Sequence, residues 1–309
     1  MTPFKADNVR YDKNSEFTWD KLNESDFVEE TLNQLRLLMG IEFEDYLFYI
    51  FSNHNSGRIP ESLYLSTSKK KVLIYVSDEL GTDPSEFSSN YYAIFKAYIG
   101  AGNFAVNVFP FPLGCVNGVP KLKLVPVAKR KFNLFFRGNL NTNRIDFYRT
   151  FSHFSQLFPP QKILSHKLYK KFLLWFQSDF RNFFQNSIII FNKNFKGGYS
   201  LTEYGEILSE SKIVLSPMGF NSSECFRLYE AMRAGCVIIS EELPPVLFYH
   251  NSPIIQVSNW NDGIKIAGEL ISDIKKMEVL QQKTLNWWES VCSEKATASY
   301  IFNKLKSIV

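Results

Sequence analysis

Arg227 and Glu230 are the residues whose types and spacing say most about chemistry. They lie three apart in a segment with helical periodicity, so they share a helix face. A fixed cation there can neutralise a phosphate leaving group, and a carboxylate can accept hydrogen bonds from both hydroxyls of a ribose. The plainer alternative is a surface ion pair at helical spacing, worth under about 1 kcal/mol. The surrounding residues 211–240, SKIVLSPMGFNSSECFRLYEAMRAGCVIIS, favour the first reading. An apolar strand ends in Ser216-Pro217-Met218-Gly219, and a helix over 222–234 is expected next. Asn221 would cap it, Glu224 would complete a capping box and Gly235 would end it. Free N–H groups at a helix start attract phosphate, so Gly219, Asn221, Ser222 and Ser223 are expected to face a diphosphate, with Ser216 and Pro217 at the strand end.

The elements that must position these residues alternate along the chain. Residues 25–38 carry apolar positions at three- and four-residue steps and predict a helix, and 46–51 and 71–76 predict buried strands. Asp83-Pro84-Ser85-Glu86 supplies a cap, a proline at the first helical position and an acid three past the cap, predicting a helix to about residue 99. A strand over 104–108 follows, and the Pro- and Gly-rich stretch 110–120 approaches a domain boundary. A second series starts with strand 132–136, the turn Arg137-Gly138-Asn139 and a helix over 143–157. It continues with a basic aromatic helix over 161–184, strand 187–191, a turn at Gly197-Gly198 and a helix over 202–208. Strand 212–215, helix 222–234 and strands 236–240 and 254–257 complete it, and helices alone follow from about 262. Strands alternating with helices imply parallel, doubly wound sheets. The expected organisation is an N-terminal Rossmann-like domain over 1–128, a C-terminal one over 129–290 and a last helix, 291–309, returning toward the first.

Residues 130–262 resemble the exostosin-like glycosyltransferases. The pattern comprises Ser216-Pro217-Met218-Gly219, Arg227-Leu228-Tyr229-Glu230-Ala231 and Gly235-Cys236-Val237-Ile238, with Pro244 and Trp260 beyond it and Phe135-Phe136-Arg137-Gly138 and Arg144 before it. The resemblance implies a GT-B type α/β fold, two Rossmann-like domains facing across a cleft, and a glycosyltransferase. Its reaction would be inverting, metal-independent transfer of a sugar from a nucleotide diphosphate sugar, with a uridine donor favoured, to a hydroxyl of a glycan. It implies contact of Arg227 and Arg137, beside Gly138, with the diphosphate and of Glu230 with the ribose. The family's Val-Pro-Val after Gly-Cys is Val-Ile-Ile here, and Ser222 stands eight before Glu230, where the large retaining group has Glu. Inversion needs a base for the acceptor hydroxyl, expected on an N-domain loop. Asp78 and Glu79, directly after a strand, and His54 are the candidates. Two alternatives stay open: a fucosyltransferase-like enzyme with a guanosine diphosphate donor, and a non-catalytic nucleotide- or glycan-binding module.

Composition narrows the remaining classes. The 309 residues include 45% hydrophobic and 21% charged residues, the balance of a globular chain of two domains. The 29 Phe are expected to serve packing. A net charge of +4 that forms no basic tail argues against nucleic acid. Cys115, Cys225, Cys236 and Cys292 form no C-x-x-C pair, and His54, His153, His166 and His250 are scattered, so no metal site is expected. Absence of Gly-x-Gly-x-x-Gly counts against a nicotinamide or flavin cofactor, and none is expected. No apolar stretch suits a leader or a membrane span, so the expected location is the cytoplasm. The helix over 161–184 joins Lys162, Lys167, Lys170 and Lys171 to Leu, Trp and Phe. Such a helix can lie on an anionic membrane, although a helix covering the sheet is the plainer reading.

Overall fold

The computed structural model describes residues 6–54, 57–100, 102, 104–152, 166–176, 179–193 and 198–308. The chain forms two compact units, one of Met1–Asn117, Pro244–His250 and Trp288–Val309 and one of Gly118–Leu243 and Asn251–Trp287.

The first unit is built on β1 (Val9–Tyr11), β2 (Tyr46–Ser52), β3 (Lys70–Val76), β4 (Ala93–Lys96) and β5 (Val108–Pro110), all parallel and in sequential order. Every residue of β2 is buried, as befits a strand covered on both faces. Helix α1 (Ser25–Met39) joins β1 to β2 and buries Phe27, Val28, Leu32 and Leu35. The chain's last helix in this unit, Glu294–Ser307, packs against α1.

Two sequence expectations fail here. Asp83 does accept the Ser85 amide at 2.9 Å, and Pro84 opens a helical turn, but that turn is 3₁₀ and stops at Asn90. Tyr92 then donates its amide to the Lys71 carbonyl at 2.7 Å and Ala93 pairs with Val72, so ladder formation overrides the local helix signal. The strand expected over 104–108 is β5, displaced to Val108–Pro110 at the sheet edge, where proline is tolerated.

The second unit contains β6 (Phe132–Asn139), α2 (Ile145–Phe151), α3 (His166–Phe176), β7 (Ser187–Asn192), α4 (Leu201–Ser209), β8 (Ser211–Ser216), α5 (Phe226–Arg233), β9 (Val237–Glu241), β10 (Ile255–Val257), α6 (Trp260–Ser272) and α7 (Ile274–Trp287). Its parallel sheet runs β10-β9-β8-β6-β7, a doubly wound order that reverses between β6 and β8. Much of the Phe content goes into one cluster. Phe136, Phe147, Tyr148, Phe151, Phe180, Phe191 and Trp260 interlock, the closest centroids being those of Phe147 and Trp260 at 4.3 Å.

Strand β6 extends through Arg137-Gly138-Asn139, expected as a turn, because all three keep pairing with Ile190, Phe191 and Asn192. The basic helix ends earlier than expected. It is described over His166–Phe176, and by Asp179 the chain has left it to bridge Ile190. Tyr169 and Leu173 are buried in the unit's core, while Lys167, Leu168, Lys171 and Trp175 are exposed. Residues 153–165, and with them Lys162 and His153, lie outside the described residues, as does Gly197. No helix among the described residues is long and apolar enough to cross a membrane. Helix α8 (Glu294–Ser307) is the one packed on α1.

Candidate functional site

Open parallel sheets take ligands beyond the carboxyl ends of their strands, at the point where strand order reverses. In the second unit that point lies between the ends of β6 and β8, where Arg137-Gly138-Asn139 and Ser216 stand. Arg227, in the first turn of α5, donates from Nη2 to the Arg137 carbonyl at 2.8 Å. Its guanidinium lies 5.0 Å from the centroid of the Phe136 ring. Gly138 makes this approach possible: a Cβ there would stand 3.1 Å from Arg227 Nη2 and 3.0 Å from Arg144 Nη1.

Arg137 is fitted just as closely. A Cβ at Gly198, whose φ is +125°, would come within 2.0 to 2.2 Å of the Arg137 guanidinium. Burial, and then the charge of Arg227, push that guanidinium below its ordinary value. The Nε of Arg137 and the Nε and Nη1 of Arg227 are buried with no hydrogen-bond partner. Buried charged donors without acceptors are costly, and an anion bound between them removes that cost. The arrangement can hold a diphosphate.

Loop 217–225 is held from below. Asn141 and Asn143 each donate to the Gly219 carbonyl at 3.1 Å, Asn143 also reaches the Phe220 carbonyl at 2.6 Å, and Arg144 Nε donates to the Met218 carbonyl at 2.7 Å. The helix expected from Ser222 begins only at Phe226, with Cys225 as a cap residue whose side chain makes no capping bond. The capping box of Asn221 and Glu224 does not form. The Ser222 hydroxyl accepts the Glu224 amide at 3.0 Å and its carbonyl accepts the Gly219 amide at 2.7 Å, closing a local turn that competes with the helix. Asn221 is exposed, Ser222 and Ser223 are half-buried, and Pro217 and Gly219 are buried. Ser216 is fully buried, its hydroxyl 3.1 Å from Cys225 Sγ and its carbonyl accepting from Ser240.

Glu230 is 4% exposed and accepts from the Tyr204 hydroxyl at 2.8 Å. Burial, followed by the Glu230 charge, holds the Tyr204 phenol well above its ordinary value, so it stays a donor. Tyr204 was not singled out from sequence and Gly198 was read only as part of a turn; the folded arrangement brings them to Glu230 and Arg137. A capping box formed by Ser200 and Glu203 starts α4, which carries Tyr204.

The base candidates lie at the carboxyl end of β3 and after β2. Asp78 is fully buried and already engaged: Lys96 Nζ is 2.9 Å from Oδ2, and Thr82 donates its amide to Oδ2 at 2.8 Å and its hydroxyl to Oδ1 at 3.2 Å. That is a structural anchor, and the geometry argues against Asp78 as a base. Glu79 is half-buried in the following turn, and His54 is half-buried with its amide bonded to Glu16 and its ring 6.3 Å from that of Phe17. An open cleft of ≈ 670 Å³ in the second unit, lined by Asn143, Asp146, Glu241 and Trp260, lies beside the Asn143 tether. Among the described residues no three His, Cys, Asp or Glu side chains converge as metal ligands.

Residues 182–301 match the family described as the RXYLT1 C-terminal domain. The match takes in Tyr204, loop 217–225, Arg227 and Glu230 but not Arg137. No curated protein matches the chain. Among solved structures, a chain of the GtfA/B complex is 14% identical over 84% of this chain and 57% of its own, with a TM-score of 0.45. The present chain thus spans little more than half of that protein. The S. aureus MnaA-UDP co-structure is 9% identical over 95% and 80% of the two chains with a TM-score of 0.43. A glycosyltransferase from Rickettsia africae is 14% identical over 90% and 81% with a TM-score of 0.40. The two parallel-sheet units are the α/β architecture expected of the GT-B type.

Proposed function

We propose that the protein is a glycosyltransferase that moves a sugar from a nucleotide diphosphate sugar to a hydroxyl of a glycan. The observation that carries this reading is the pair Arg137 and Arg227 at the reversal point of the second sheet, with buried N–H groups awaiting an anion. The diphosphate lies against the two guanidiniums. Glu230, steadied by Tyr204, accepts from the ribose hydroxyls. The match of 182–301 to the RXYLT1 C-terminal domain covers Tyr204, Arg227 and Glu230. The motif resemblance to exostosin-like enzymes supports a uridine donor and inversion.

In the transfer, the acceptor oxygen attacks the anomeric carbon as the nucleoside diphosphate departs. Charge that develops on the leaving oxygen is met by Arg137 and Arg227, donors fixed in place before the reaction begins. Contact of α3 with an anionic membrane is a lesser part of the reading, supported by the exposed Lys167, Lys171 and Trp175. Co-sedimentation with anionic vesicles tests it, and equal recovery with neutral vesicles would remove it.

The test of the donor site is a thermal-shift screen against uridine, guanosine and cytidine diphosphates and their sugars, with Arg227→Ala and Glu230→Ala alongside. A ligand at a hundred times its Kd adds about 2.7 kcal/mol of stability. The expected outcome is a uridine-selective shift that both variants lose, followed by sugar transfer with the donor that binds. A guanosine-selective shift would favour the fucosyltransferase-like alternative, binding without transfer would make the chain a binding module, and no shift would remove the assignment.

A further inference from the structure

The cleft beside the Asn143 tether contains none of the residues assigned to the donor. It opens at the carboxyl ends of β9 and β10, where Glu241 is the last residue of one strand and Ser258 follows the other. Alternation along β6 separates it from the donor residues: Phe136 packs on Phe147 of α2, whereas Phe135 packs on Tyr204 of α4. Tyr204 and its partner Glu230 therefore stand on one face of the second sheet, and the cleft, lined by Phe147, on the other. Both lie at the end where open parallel sheets take ligands.

The volume of the cleft, ≈ 670 Å³, is that of a small-molecule site. Its floor is packed aromatic surface. Trp260, 5% exposed, has its ring centroid 4.3 Å from that of Phe147 and donates from Nε1 to Glu241 Oε1 at 2.6 Å. That bond fixes the Glu241 carboxylate in the wall, and a carboxylate keeps acceptor capacity beyond one donor. Asp146, exposed in the first turn of α2, adds a second carboxylate. Arg149 is the cation of the lining, 3.4 Å from Asp146 Oδ1, so negative charge outweighs positive. The neutral donors are largely spent within the protein. Asn143 gives its Nδ2 to the Gly219 and Phe220 carbonyls, Thr150 its hydroxyl to the Asp146 carbonyl at 3.1 Å, and Asn259 its Nδ2 to Asp262 Oδ2 at 2.6 Å. The lining thus offers acceptors, the reverse of the Arg137 and Arg227 pair.

Such a lining selects its ligand by elimination. An anion is repelled by Asp146 and Glu241, and an apolar group would take water from both carboxylates without replacing its hydrogen bonds. A neutral ligand with several hydroxyls supplies the donors that carboxylates bind strongly. We propose that the cleft is a second carbohydrate site, holding one neutral sugar residue of a glycan through its hydroxyls on Asp146 and Glu241. Because the cleft is open, the glycan continues from the bound residue into solvent. Asn143 lines the cleft and also holds loop 217–225 through Gly219 and Phe220, which places this sugar next to the loop that precedes Arg227. The site lies wholly within the second unit, and binding there requires neither a nucleotide nor sugar transfer.

The experiment titrates the full chain with neutral tetrasaccharides of glucose, mannose, galactose and xylose, the matching monosaccharides, tetragalacturonate and calcium chloride. The readout is the Trp260 indole N–H resonance of isotope-labelled protein, identified by its loss in Trp260→Phe. Expected are movement of that resonance by at least one neutral tetrasaccharide, weaker binding of its monosaccharide, and affinity lower by about tenfold or more in Asp146→Ala and in Glu241→Gln. The thermal shift given by uridine diphosphate should be the same in Asp146→Ala as in the wild type. A resonance that no neutral tetrasaccharide moves would overturn the proposal, as would movement by tetragalacturonate or calcium alone. Equal affinity for the monosaccharide would make the ligand a free sugar and overturn the glycan assignment. Displacement of the tetrasaccharide by uridine diphosphate would merge the cleft with the donor site and overturn it too. If Glu241→Gln does not fold, Asp146→Ala decides, since Asp146 is exposed: unchanged affinity there overturns the proposal. If no nucleotide binds, the donor reading falls, while the sugar titration still decides this one.

Discussion

Arg227 donates from Nη2 to the main-chain carbonyl of Arg137 at 2.8 Å, so the helix guanidinium is fastened to the strand end that carries the other guanidinium. Two like charges are thereby held together in a partly buried place, with Phe136 beneath one of them. Donors arranged in advance need no reorganisation when charge appears on a leaving group.

Each guanidinium should therefore matter more to the ligand than to the empty protein. Arg227→Ala is expected to weaken binding of a nucleoside diphosphate by about 1.5–3 kcal/mol, the range for hydrogen bonds to charged groups. Raising salt should weaken wild-type binding more than binding by the variant. Isothermal titration at two ionic strengths checks both, and equal salt dependence in the two proteins would refute direct charge contact.

Gly198 tests the placement of Arg137 without touching either charge. Gly198→Ala puts a methyl where the Arg137 guanidinium now lies and imposes a side chain on φ +125°. Loss of diphosphate binding is expected, with circular dichroism unchanged because the nearest atoms met belong to the Arg137 side chain and not to the β6 backbone. Unaltered affinity would show that Arg137 does not set the anion site.

Much of this was legible in the sequence, for identifiable reasons. The strands over 46–51 and 71–76 stand at Tyr46–Ser52 and Lys70–Val76 because long apolar runs bounded by turns allow few other fates. The helix expected over 83–99 failed because pairing of Ala93 with Val72 lies far off in sequence and outweighs a good local cap. The helix expected from Ser222 failed for the opposite reason, a local bond from the Glu224 amide to the Ser222 hydroxyl that the motif did not reveal. Arg137 and Arg227 are ninety residues apart, and only the strand order brings them to one place.

Tyr204→Phe addresses Glu230. Removing the hydroxyl takes one donor from a carboxylate that is 4% exposed, and a destabilisation of about 1–2 kcal/mol is expected in urea unfolding. If Glu230 accepts from ribose, Glu230→Gln should narrow the preference for ribonucleotides over 2′-deoxyribonucleotides. Unchanged discrimination would move the ribose elsewhere.

Lys96 and Asp78 form an ion pair with both side chains fully buried. Breaking it from one side leaves an uncompensated charge, so Lys96→Met should cost about 3–5 kcal/mol, whereas Lys96→Met with Asp78→Asn should recover part of that loss. A double-mutant cycle in urea measures it. Sugar transfer per folded molecule should survive in Asp78→Asn, and a loss of 10²-fold or more would return Asp78 to consideration as the base.

Glu24 gives stability a pH dependence whose sign is fixed by the direction of its shift. Its value rises from 4.5 to about 7 on folding, so the folded state holds the proton more tightly than the unfolded chain. The resulting stabilisation is complete below about pH 4.5 and is lost as the pH climbs through about 7. At 1.36 kcal/mol for each unit, the change is on the order of 3 kcal/mol. Glu24→Gln cannot ionise and should lack this slope, becoming the more stable protein at pH 8. Urea unfolding of both proteins at pH 5, 6, 7 and 8 checks it. Parallel curves would mean that the Glu24 carboxyl is not desolvated in solution.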